Sequence, residues 1–149
     1  MIEDFQHVCI TCRDLEASTR FYQLLGLEVG EPARELDEEH LAVAMNLPKG
    51  HINVLHLAPR NSTSGMFIDL VQWLEPASHG KTYPALNNVG INRVAFRVSE
   101  LDKTVAALRQ RGIQFLSEKA QAFGPIRTIV TQDPDGVFVQ LLEWLVATD

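Results

Sequence analysis

The chain has 149 residues, of which 46% are hydrophobic and 21% charged, enough for one full domain or two small modules with a core that needs no staples. Its net charge of −6, with 13 scattered Lys and Arg, speaks against nucleic acid as a partner, because phosphate binding needs clustered bases. The opening MIEDFQHV lacks a basic start followed by an apolar run, and no apolar stretch reaches membrane-spanning length, so a cytoplasmic protein with no membrane partner is expected.

In chain order, the first elements are a strand in FQHVCI, residues 5–10, a polar break at Arg13 and Asp14, and a helix running to Gly26. Cys9 and Cys12 form a lone CITC with no second pair, and a strand sends them to opposite faces. Two reduced cysteines are expected. Asp14 reads as the N-cap, Leu15, Phe21, Leu24 and Leu25 as the apolar stripe, and Gly26 as the residue after the helix end. The apolar runs HLAVAMNL, INVLHLA and MFIDLVQW then read as strands, with the polar stretch APRNSTSG at 58–65 linking the last two. EPASHGKTYPALNNVG, 75–90, has no period and reads as a linker.

After it the pattern starts again. INRVAF, 91–96, is strand-like; Ser99 reads as an N-cap, Leu101, Val105 and Leu108 as a helix stripe, and Gly112 as its stop. IQFLSE, IRTIVTQ and VFVQLLEW read as strands, the last two joined by the turn DPDG at 133–136. His7 to Gly26 and Arg93 to Gly112 are both 19 positions, so the chain is read as a duplication. The expected fold is α+β: a βαβββ module over 1–74, a linker over 75–90 and a second βαβββ module over 91–149, together one compact domain.

The duplicated openings HVCITCRDLEASTRFYQLLGLEV and GINRVAFRVSELD, the strand FIDLVQW and the ending DPDGVFVQLLE resemble the vicinal oxygen chelate superfamily of glyoxalases, epimerases, extradiol dioxygenases, and fosfomycin- and bleomycin-resistance proteins. The resemblance spans nearly the whole chain. It implies mixed sheets curled around a central cavity, a small-molecule ligand, often a homodimer, and in many members a divalent metal held by the first and last strands of each module. Those positions here are His7 and Asp69 in the first module and Arg93 and Gln140 in the second. Metal-binding members commonly carry His or Gln, Glu, His and Glu there. A guanidinium has no lone pair for a metal, and within ~4 Å of a divalent cation it adds several kcal/mol of repulsion even at an effective dielectric of ~20. No cofactor is therefore favoured; Zn, Ni, Mn or Fe on His7, Asp69 and Gln140 is the alternative, or a regrouped His7, His56 and Asp69 set for Zn or Fe.

By alternation His7 shares a side with Phe5 and Cys9, Asp69 with Phe67 and Val71, Arg93 with Ile91 and Ala95, and Gln140 with Phe138 and Leu142. Polar residues amid apolar neighbours suit a lined pocket. Arg93 suits either pairing with Asp69 or a forked contact to a carboxylate, phosphate or enolate oxygen, with Gln140, His56, Phe67 and Phe138 as further ligand-binding residues. His7 hydrogen-bonded to Gln140 as a core histidine is the structural alternative. Two functions stay open: a lyase- or isomerase-type enzyme acting on a small anionic or oxygen-rich molecule, with His7 or Asp69 as acid/base and Arg93 stabilising charge, or a non-catalytic trap for an antibiotic. A dioxygenase or epimerase with a rearranged metal set is a third.

Overall fold

Residues 1–145 are described in the computed structural model of the protein. The last four positions of the second module expected from sequence lie outside them. The chain divides into two compact units, Met1–Gly80 and Lys81–Asp149. Among the described residues no helix is long and apolar enough to cross a membrane.

The first unit contains β1 (His7–Thr11), α1 (Leu15–Leu24), β2 (Leu27–Val29), β3 (Arg34–Asp37), α2 (Glu39–Met45), β4 (His51–Pro59) and β5 (Phe67–Glu75). Its sheet runs β1-β5-β4-β2, with β3 also on β4. β1 and β5 are parallel and the other pairs antiparallel. β2 and β3 share the outer edge of β4 end to end, β2 against residues 57–59 and β3 against residues 51–54.

The cap expected for α1 forms: the Asp14 carboxylate accepts from Ala17 N at 2.9 Å, satisfying one of the helix's orphan donors, and Gly26 takes φ +99° just past its end. Leu15, Phe21 and Tyr22 are buried where the helix meets β4 and β5, whose buried residues include Leu55, Leu57, Ile68 and Leu70. The strand expected in HLAVAMNL is instead α2. Ala, Leu and Met are strong helix formers, Glu39 suits the first turn, and Asn46 closes the helix at φ 52°. A short apolar run does not distinguish helix from strand by itself.

The second unit contains β6 (Arg93–Arg97), α3 (Leu101–Gln110), β7 (Gln121–Phe123), β8 (Ile126–Gln132) and β9 (Phe138–Trp144). The sheet order is β6-β9-β8-β7, with β6 and β9 parallel. Leu101, Val105 and Leu108 are the buried stripe of α3, and Gly112 follows its end at φ +89°. Arg127 of β8 grips Asp102 of α3 through two hydrogen bonds of 2.7 and 2.8 Å, and this guanidinium holds the Asp102 carboxyl below its usual range.

Two sequence expectations change here. Glu100, not Ser99, precedes α3 and makes no side-chain cap; Leu101 N donates instead to Glu143 Oε1 of β9 at 3.4 Å. IQFLSE is not a strand either: Phe115 makes one isolated bridge to Thr131, and the edge strand forms later, as β7. Arg109 diverts the segment, donating to the carbonyls of Ser117 and Glu118 at 3.2 and 2.6 Å and stacking over Phe115 at 5.5 Å. The DPDG hairpin forms as expected. Asp133 accepts from Asp135 N and Val137 N at 3.0 and 2.8 Å, and Gly136 takes φ +92°.

Gly50 fixes α2 to β4. Glu38 N donates to its carbonyl at 3.1 Å, and a Cβ there would lie 2.6 Å from Glu38 O and 2.7 Å from Ala42 N. Because both are backbone atoms, Gly50→Ala is expected to destabilise the protein by about 1–3 kcal/mol, an overpacking cost read as a lower urea midpoint. An unchanged midpoint would show that this approach is not tight.

Candidate functional site

In the first module the parallel pairing of β1 and β5 sets His7 opposite Phe67 and Cys9 opposite Asp69, while β4 sets His56 opposite Asp69. Side chains alternate along strands, so these residues share one sheet face. The Phe67 ring stacks on His7 at 5.2 Å between centroids and tilts against His56 at 4.6 Å. His56 Nε2 lies 3.4 Å from Asp69 Oδ1. That oxygen is buried and accepts no hydrogen bond, which costs about 1–3 kcal/mol for a polar atom taken from water.

The same face is closed further along. Ile52, Val54 and Val71 form a buried cluster against which Leu36 of β3, Leu41 of α2 and Trp73 pack. The β3–α2 segment therefore roofs the apolar end and leaves the end with His7, His56, Phe67 and Asp69. Cys9 stands beside Asp69 and keeps solvent contact, yet its thiol pKa is pushed up to about 11, first by desolvation and then by the Asp69 charge. Cys12 is buried.

In the second module β6 and β9 set Arg93 opposite Phe138 and Ala95 opposite Gln140. Arg93 Nε donates to Gln140 Oε1 at 2.8 Å and Arg93 Nη1 to Asn92 Oδ1 at 3.0 Å. Gln140 Nε2 donates to Thr128 Oγ1 at 2.7 Å, and the Thr128 hydroxyl donates to Leu141 O at 3.0 Å. This relay fixes which end of the amide faces the arginine. The guanidinium is held by neutral acceptors and keeps its full charge toward solvent.

The sequence pairings thus resolve within each module. Asp69 has His56 as its ionic neighbour within the first module, and Gln140 is engaged by Arg93 and Thr128 within the second. Phe138 is 5% exposed and lies beneath a separate pocket. Thr128 and Asn92 were not singled out by sequence. Counting back from DPDG places Val130 opposite Gln140 and Thr128 opposite Leu142, on the Gln140 face, so the hairpin held the signal for Thr128.

At the four positions that the resemblance implies for a metal, the residues present do not fit a divalent ion. Gln140 Oε1, the only metal-binding atom the second module offers there, is engaged by Arg93, which has no lone pair of its own. Among the described residues no group of three or more His, Cys, Asp or Glu is arranged to hold a metal, which includes the regrouped His7, His56 and Asp69.

A family model described as the Glyoxalase/Bleomycin resistance protein/Dioxygenase superfamily matches residues 6–130. The mitochondrial methylmalonyl-CoA epimerase of Bos taurus is 30% identical over 139 residues, covering 91% of this chain and 71% of the epimerase. Among solved structures, a glyoxalase family protein from Bacillus cereus superposes with a TM-score of 0.85 at 20% identity, over 98% of this chain and 97% of that one. The fosfomycin resistance protein FosX from Listeria monocytogenes, solved with Mn(II) and sulfate, superposes with a TM-score of 0.60 at 17% identity, over 96% and 93% of the two chains. These structural likenesses bear on the fold.

Because only the thiolate reacts, Cys9 should be alkylated by iodoacetamide at pH 8 roughly a hundredfold more slowly than a free cysteine. Asp69→Asn removes the smaller cause of the shift, so it should speed the reaction without bringing it to the free-thiol rate. Site-resolved mass spectrometry of the Cys9 peptide reads this. A rate unaffected by Asp69→Asn would mean that the carboxylate does not act on this face.

Proposed function

The chain belongs to the Glyoxalase/Bleomycin resistance protein/Dioxygenase superfamily, and from that premise we propose that it moves a proton at the carbon beside a carbonyl in a small, oxygen-rich anion, an isomerase- or lyase-type reaction that does not use the usual metal centre. One observation carries the reading: Asp69 presents a buried oxygen with no hydrogen bond, 3.4 Å from the His56 imidazole, on the uncovered end of the first module's sheet face. A carboxylate whose lone pairs are not committed to the protein is a base in waiting, and an adjacent imidazole can hold or return the proton.

In the proposed reaction Asp69 takes the proton from carbon, the C–H electrons move into the carbonyl to give an enolate, and protonation of that carbon completes an isomerisation. His56 stabilises the charge changes on Asp69, while His7 and Phe67 wall the site. The closed β3–α2 end limits it to small groups. Within the second module, taken by itself, Arg93 is held by Gln140 and Asn92 and has no carboxylate partner among its hydrogen bonds, which suits it to bind an oxyanion on its own face. The named activity of the bovine relative, epimerisation of an α-carboxy thioester, supports this substrate class for a chain 30% identical to it.

The reaction is tested in D2O with methylmalonyl-CoA as the probe, following deuterium uptake at the α-carbon by mass spectrometry. Wild type should catalyse uptake, Asp69→Asn should lose on the order of 10²–10⁴-fold, the range of general base catalysis, and His56→Ala a smaller part of it. Uptake that survives Asp69→Asn unchanged defeats the proposed base. Binding of the thioester without any deuterium uptake would favour the ligand-trapping function.

A further inference from the structure

The second module holds a pocket of about 300 Å3, at the lower end of the range for small-molecule sites. Three pieces of chain wall it: Lys81–Tyr83, the residues leading into β6, and the DPDG turn running into β9. None of them supplies a group that acts in the proposed proton transfer; Asn92 alone touches that reading, through its contact with Arg93.

The walls are held in place before any ligand arrives. The Thr82 hydroxyl donates to Asp135 O at 3.4 Å, and the Lys81–Tyr83 stretch lies so close to the turn that a Cβ on Gly136 would come within 2.8 Å of Thr82 Oγ1. On the other side Tyr83 Oη lies 2.6 Å from where a Cβ of Gly90 would be, and Asn92 Nδ2 donates to Leu86 O at 2.6 Å. Each wall is therefore tied to another part of the same module.

The lining divides its chemistry. Phe138, which is nearly buried, and Val137 and Ile91 give an apolar floor. Lys81 is the only ionic side chain in the lining, and no salt bridge engages it among the described residues. Asn92 has both ends of its amide in use, Oδ1 with Arg93 and Nδ2 with Leu86, and the Thr82 hydroxyl proton goes to Asp135 O, so polar recognition falls to the Lys81 ammonium and the Tyr83 hydroxyl. We propose that this pocket binds a small carboxylate with an aromatic or short aliphatic body, the carboxylate at Lys81 and the body over Phe138, Val137 and Ile91. A single cation above an apolar floor matches one negative charge on an apolar frame. A free phosphate offers more charge than Lys81 alone can meet and nothing for the floor to cover.

The test uses the 15N-labelled full chain, titrated separately with benzoate, benzyl alcohol and inorganic phosphate, with amide shifts as the readout. Benzoate should give saturable shifts clustered at Thr82, Ile91 and Gly136, and should bind more tightly than either control. Lys81→Gln should weaken benzoate by about fivefold or more through loss of one charge-assisted contact, while benzyl alcohol changes little. Lys119→Gln, the same loss of charge at an exposed position outside the lining, should leave the benzoate affinity within about twofold, which separates a contact in the pocket from a change in overall charge. Equal benzoate affinity in wild type and Lys81→Gln, shifts centred elsewhere, phosphate binding as tightly as benzoate, or no saturable shift would each overturn the proposal.

Discussion

Each module pairs its first strand in parallel with its last, and the grouping of the candidate site's side chains follows from that pairing. A parallel pair needs a long crossover, here helices and the intervening strands, so residues 60 positions apart become neighbours in the first module. The register repeats in both copies. His7 faces Phe67 with Asp69 two residues on, and Arg93 faces Phe138 with Gln140 two residues on. A slip of one residue would turn either polar pair to the helix-covered side. The Asp14 cap of α1, the glycines after α1 and α3 and the DPDG turn fix where the elements between those strands begin and end.

On this common frame the two modules place opposite chemistries. The first sets a carboxylate beside an imidazole and leaves one carboxylate oxygen unsatisfied. The second sets a guanidinium on a neutral amide and locks that amide through Thr128. Had the last strand of the second module kept a carboxylate, Arg93 would form a bidentate ion pair and its charge would be spent within the module. With Gln140 the arginine is oriented but not neutralised. The cost of an unbonded oxygen at Asp69, of order 1–3 kcal/mol, is what a protein tolerates at a site with work to do.

Much of this was legible in the sequence. The equal spacing from His7 to Gly26 and from Arg93 to Gly112 gave away the duplication, and alternation set Phe67 and Asp69 on one side of their strand; the pairing registers added His7 and His56 to that face. What the sequence left hidden had a shared cause: it depended on partners distant in the chain. Alternation tells which face a residue joins but not which neighbour on that face it touches, so Asp69 met His56 and Gln140 met Arg93. HLAVAMNL looked like a strand because its composition is apolar; its place as the helix over Ile52, Val54 and Val71 is set by tertiary packing. IQFLSE lost its ladder to Arg109, and Ser99 lost its cap position to a carboxylate on β9.

The central claim is that Arg93 occupies the amide oxygen of Gln140 and so removes the second module's contribution to a metal centre. The most direct test is metal analysis by mass spectrometry of wild type and Asp69→Asn after equilibration with Zn2+, Ni2+, Mn2+ and Fe2+ and exhaustive dialysis. Wild type should retain no more of any ion than the variant does. Retention of one equivalent by wild type, lost in Asp69→Asn, would contradict it.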